Sequence, residues 1–130
     1  MFTKLFINKN MPLNKNTFTI KRNDTLPALV LKIIDRGPLL EKRPFILDGV
    51  TGVTFSMMNK ECDYNKVSLK EAFVLCVSGG TVVYYWDPED TNESGNFIGE
   101  FELKYSNGTK LSVPQVGGVD IEILNDINIG

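Results

Sequence analysis

The chain has 130 residues, 42% of them hydrophobic and 23% charged, which is the balance of one globular domain with a single core and not of a disordered segment. Its 14 Lys+Arg against 16 Asp+Glu leave a net charge of −2, with no general attraction to nucleic acid or anionic lipid. It contains no histidine, so the usual general base near neutral pH, the Ser-His and Cys-His nucleophile pairs and the commonest transition-metal ligand are all missing.

Residues 1–17 read as an extended arm: Lys4, Lys9 and Lys15 stand among four asparagines, and the apolar residues form no long periodic face. The segment lacks the apolar centre of a signal peptide. An arm of this kind is ordered by a neighbouring subunit or by returning onto its own domain. Its apolar side chains Phe2, Leu5, Phe6, Ile7, Met11 and Leu13, with Ile127 and Ile129 of the tail 125–130, are the candidate partner-binding residues.

From Thr17 the pattern becomes that of strands. Phe18-Thr19-Ile20-Lys21-Arg22 alternates with period two, and Leu26 to Asp35 is rich in β-branched residues, with Pro27 suited to a strand's start. Pro44 to Asp48 follows, then a Gly49 turn, then Val53 to Met58, where Val53, Phe55 and Met57 share one face. Asn59 to Lys70 reads as a polar connection, with one helical turn allowed over Lys66 to Phe73. Ala72 to Val77 reads as a short apolar strand, with Cys76 a buried hydrophobe in its run Phe73 to Val77, whereas Cys62 is expected to be exposed.

Gly79-Gly80 before Thr81-Val82-Val83-Tyr84-Tyr85-Trp86 is the strongest hairpin signal. An acidic loop, Asp87 to Asn96, leads into Phe97 to Tyr105, in which alternate residues are apolar. Ser106-Asn107-Gly108-Thr109 marks a tight turn, Pro114 closes the strand Lys110 to Val113, and Val119 to Leu124 is the last strand. About eight short strands with turn signals every eight to twelve residues predict an all-β fold: a single immunoglobulin-like antiparallel β-sandwich over residues 18–124. No run approaches the roughly 18 apolar residues that suggest a membrane-spanning helix, so no membrane partner is expected.

Chemistry-bearing patterns are few. The acidic loop supplies the oxygens a hard cation needs but lacks the EF-hand spacing, and a hairpin loop bonded to its own backbone accounts for it. Asp24, Asp35, Asp48 and Asp120 sit at turns or on alternating strands, where solvated aspartates belong. Arg36, Lys42 and Arg43 form a basic cluster that reads as a solvated loop or as a contact for an acidic partner. Tyr84-Tyr85-Trp86 could stack on sugars, but in a strand Tyr84 and Trp86 point one way and Tyr85 the other, which favours the core. The two cysteines form neither a disulfide framework nor a CxxC pair, which suits a reducing cytoplasm. No catalytic residue, cofactor or metal is expected.

Read in order, several segments resemble the N-terminal domain of phage baseplate upper proteins and related tail proteins. They are Asn23-Asp24-Thr25-Leu26-Pro27-Ala28-Leu29, Asp48-Gly49-Val50-Thr51-Gly52-Val53-Thr54-Phe55-Ser56-Met57, Gly80 to Trp86 with Asp90-Thr91 and Gly95 to Phe101, and Asn107 to Lys110 with Val113-Pro114. Gly99 stands where that family usually has alanine. The resemblance implies a bacteriophage virion structural protein, assembled in the host cytoplasm: a tail or baseplate adaptor for fibre attachment. Its partners would be other virion proteins and further copies of itself. A capsid decoration or head-fibre subunit and a carbohydrate-binding module using Tyr84, Tyr85 or Trp86 are the competing expectations; an enzyme fits least.

Overall fold

A computed structural model of the chain describes residues 2–8, 17–36, 41–115 and 117–127. Of residues 2–8 and of Arg36 the backbone alone is described. The described residues form ten strands: β1 Phe2–Asn8, β2 Thr17–Lys21, β3 Ala28–Arg36, β4 Lys42–Pro44, β5 Val50–Asn59, β6 Asn65–Cys76, β7 Thr81–Tyr84, β8 Gly95–Tyr105, β9 Lys110–Val113 and β10 Val119–Leu124. The one helical element among the described residues is a 3-10 turn, η1, at Pro88–Thr91. No helix there is long and apolar enough to cross a membrane.

The strands follow one path, β1-β3-β7-β6-β5-β8-β10-β2, with β4 beside β3 and β9 beside β8. This path curls into two facing layers because β6 serves both: Asn65 to Ala72 pairs with β5, and Phe73 to Cys76 pairs with β7. Among the described residues every pairing is antiparallel except two. β1 runs parallel to β3, and β2 runs parallel to β10, so both edges of the path come from the N-terminal part of the chain.

Period-two alternation fills the space between the layers. Phe97, Gly99, Phe101 and Leu103 of β8 are buried while Glu100 and Lys104 are exposed, and Val119, Ile121 and Ile123 of β10 repeat the pattern. Five aromatic rings join the layers: Phe55 stacks on Tyr84 at 4.5 Å, meets Trp86 edge-on at 5.7 Å and Phe101 at 5.1 Å, and Phe18 stacks on Trp86 at 5.7 Å. Each such side chain contributes about 1.5–3 kcal/mol by leaving water. The β6–β7 hairpin closes at Gly80, whose φ of +64° suits glycine and whose position admits no side chain: a Cβ there would lie 2.6 Å from the Phe45 carbonyl and 2.7 Å from that of Ile33.

Three sequence expectations need correction. Lys66 to Phe73 forms no helical turn, and residues 65–70 of the expected polar connection belong to a strand, the long β6. A β-bulge explains the missing pattern. Between Phe55/Met57 on β5 and Lys70/Val67 on β6 the bulged strand carries one extra residue, with Leu69 at φ +49° and its N–H donated to Ser56 Oγ at 2.9 Å. The extra residue switches parity, so that Val67 before it and Ala72 after it both face the core. The third correction is Cys76, which is exposed: a second register shift, between Val74 and Cys76 opposite β7, takes it off the core-facing row.

Candidate interaction surfaces

The same bulge gives β6 a second role. It brings Lys70 to the end of the sandwich, where Nζ donates to Asp90 Oδ1 at 2.8 Å and to Asp87 Oδ2 at 3.2 Å. Asp90, 2% exposed, also accepts the Tyr84 hydroxyl at 2.6 Å and the Asp87 N–H at 2.9 Å, both on Oδ2. Next to it, the fully buried Thr91 donates its hydroxyl to the Asp24 carbonyl at 2.8 Å and accepts the Asn23 N–H on its own carbonyl at 2.9 Å. Further along, Lys66 Nζ bonds Asn92 Oδ1 and lies 3.9 Å from Glu93.

The acidic loop is therefore more than a solvated hairpin loop. Asp90 and Thr91 are buried, and the two lysines of β6 supply cations to its carboxylates. Among the described residues no group of three or more His, Cys, Asp or Glu is placed to hold a metal ion. Burial, then the bond to Asp90, pushes the Tyr84 hydroxyl well above the ordinary tyrosine range. The bond to Asp90 raises Lys70.

The other singled-out groups are dispersed. Asp24 flanks the β2–β3 turn, Asp48 the Gly49 turn, and Asp120 on β10 pairs with Lys60 at 2.6 Å. Asp35 and Arg43 are register partners across β3 and β4, as are Arg36 and Lys42. Tyr84 and Trp86 are 2% and 4% exposed, so two of the three aromatic rings lie in the core. Of the arm and tail residues, Phe2, Leu5, Phe6 and Ile7 belong to β1, Ile127 is exposed beyond β10, and Met11, Leu13 and Ile129 lie outside the described residues.

The outer faces of the two layers differ in chemistry. On the β5-β8-β10 layer, Ser56, Glu100, Glu102, Asp120 and Glu122 point away from the core. On the β6-β7 side the outward residues are Phe73, Leu75 and Tyr85, with Val77 at the adjoining turn, and each is between 44% and 48% exposed. Phe73 and Tyr85 touch, with ring centroids 5.9 Å apart. A shallow groove of about 470 Å³ at the bulge extends this patch, lined by Thr54, Leu69, Phe73 and Val74 with Glu71 and Lys104 at its margin. Such a patch is a candidate docking surface, whereas the outer face of the β5-β8-β10 layer is rich in carboxylates and carries the half-buried Met58 and Ile98. The sequence reading missed the patch, because β6 had been divided between a polar connection and a buried strand.

No protein-family profile matches the chain. No curated protein matches it either. Among solved structures it is similar to the N-terminal domain of phage TP901-1 ORF48, with a TM-score of 0.61 and 16% identity over 95% of this chain and 98% of that one. The likeness is one of fold and extends over nearly the whole of both chains.

Proposed function

We propose that this domain is a virion structural module of a phage tail or baseplate, an adaptor that works by protein-protein assembly. The observation that carries this reading is the fold likeness to a phage protein's N-terminal domain across 95% of the chain. The segments that resemble phage tail proteins in sequence supply core and turn positions of that same fold. The Phe73-Leu75-Tyr85 patch supports a docking role, since apolar surface is removed from water when a partner covers it. The partners of this reading are other virion subunits and further copies, and the β1 and C-terminal residues, with exposed Ile127, are its second contact region.

Electron microscopy of particles carrying a tagged copy of this chain tests the proposal. Density for the tag at the tail or baseplate is expected. Density on the capsid would favour a head decoration instead, and particles complete without the chain would refute a structural role.

A further inference from the structure

Resting on the assembly role just proposed, we propose that the β3 edge is an exchangeable strand site: Phe2–Asn8 of the same chain fills it in an isolated copy, and Phe2–Asn8 of a second copy fills it where copies adjoin. β3 is buried like a central strand. Ala28, Leu29, Val30, Leu31, Ile33 and Ile34 are each at most 2% exposed, on both faces. A strand so apolar cannot be left with a bare edge, which would be a template for uncontrolled pairing.

Among the described residues, the strand that covers this edge is the first element and pairs with β3 alone, through seven parallel register positions from Phe2↔Ala28 to Asn8↔Ile34. It can leave without breaking any other strand pairing. An identical strand from a neighbour restores the same seven register positions, so exchange keeps the β1–β3 pairing and depends on proximity and on the link. Eight residues separate Asn8 from Thr17, enough to reach about 27 Å when extended. The other parallel edge strand, β2, is not exchangeable in this way: Phe18 and Ile20 are 0% and 3% exposed, and Phe18 stacks on Trp86. β2 anchors the link to its own domain while β1 is free to pair elsewhere.

The test uses full-length chains in which Cys62 and Cys76 are replaced by serine. Phe6 and Lys32 are register partners, and paired strands lie about 4.8 Å apart, within disulfide reach. One chain carries Phe6→Cys and another, of different mass, Lys32→Cys; they are mixed at high concentration in glutathione redox buffer. A covalent heterodimer in about tenfold excess over either homodimer is expected, and it should vanish when Leu5→Pro is added to the donor. No excess, or an excess that survives Leu5→Pro, would overturn the proposal. A single chain carrying both cysteines must close the bond internally when dilute, and its failure to do so would also refute the site. Because the measurement is made on purified protein, a negative result removes strand exchange and leaves the virion role to be judged by particle imaging.

Discussion

The Tyr84 hydroxyl donates to Asp90 Oδ2 at 2.6 Å inside the sandwich, while Lys70 holds the other carboxylate oxygen at 2.8 Å from a strand of the facing layer. Three elements, β6, β7 and η1, are thus fastened at one carboxylate. Buried polar networks of this kind are costly when incomplete, because a stranded donor has lost its water without gaining a partner.

Asp90→Ala is expected to destabilise the domain by about 3 kcal/mol, since it leaves the Tyr84 hydroxyl and the Asp87 N–H unpaired in the interior. Tyr84→Phe should cost about 1 kcal/mol, because Asp90 keeps its other donors. Lys70→Met should cost less than Asp90→Ala, as the Lys70 side chain is 38% exposed and its ion pairs are weakened by solvent. Urea unfolding of the three variants checks this order, and a Tyr84→Phe loss equal to that of Asp90→Ala would contradict it.

The network also sets a pH dependence at the alkaline end. Tyr84, through burial and its bond to Asp90, and Lys70, through its bond to Asp90, both hold their protons more tightly folded than unfolded. A raised folded value means the unfolded chain loses its proton first, so the stabilisation is complete below the ordinary values of 10.0 and 10.5 and is lost as pH rises above them. Stability should fall above about pH 10, by up to about 1.4 kcal/mol per unit for the buried Tyr84 proton and by less for Lys70, whose 38% exposure weakens its pairs. Tyr84→Phe should flatten the fall. Denaturation midpoints from pH 8 to 11.5 measure it, and an unchanged slope in the variant would remove Tyr84 from the account.

Much of the fold is written in period two. β8 and β10 alternate without interruption, and Tyr84 and Trp86 could be assigned to the core and Tyr85 to the surface from parity alone. β6 was illegible for a local reason: the extra residue at Ser68–Leu69 breaks the alternation, so a strand reads as loop and helix. The Asp90 network was hidden for the same reason, because Lys70 lies 20 residues earlier and faces Asp90 only through the bulge. β1 was left open because an edge strand paired in parallel with β3 carries no turn signal linking it to its partner.

The bulge carries its own prediction. Leu69 holds φ +49° with its side chain 62% exposed, so its conformation costs energy that little burial offsets. Leu69→Gly should be more stable than Leu69→Ala by about 1 kcal/mol, the reverse of the order expected in an ordinary strand. Thermal melts of the pair decide it; equal stabilities would mean the backbone relaxes out of this conformation.

Gly99, buried on β8 between Phe97 and Phe101, faces the core without a side chain. A Cβ at this position would lie 2.9 Å from Ile121 Cδ1 and 2.9 Å from Phe55 Cε1. Ile121 can turn aside, but Phe55 is held among Tyr84, Trp86 and Phe101 and has little room to move. Gly99→Ala should cost about 1–2 kcal/mol by overpacking. Adding Ile121→Val should recover part of that loss, although Ile121→Val alone destabilises by about 1 kcal/mol. A double-mutant cycle with no coupling would show that the ring does not confine this site.

The outer patch separates folding from assembly. Phe73 and Tyr85 are 46% and 48% exposed and touch each other, so replacing both by serine removes only half-buried apolar surface. The double variant should fold and lose no more than about 2 kcal/mol. If the patch docks a virion partner, the same change should strongly reduce incorporation into particles, because it removes two large apolar side chains from the centre of the contact. A control on the opposite layer, away from the groove, Glu100→Gln with Glu122→Gln, should leave incorporation near normal. Purified particles from cells expressing each variant, probed for the chain, provide the comparison. Normal incorporation of the serine variant would exclude this patch as the docking face, and equal losses from both faces would show that the two layers' difference in chemistry does not direct assembly.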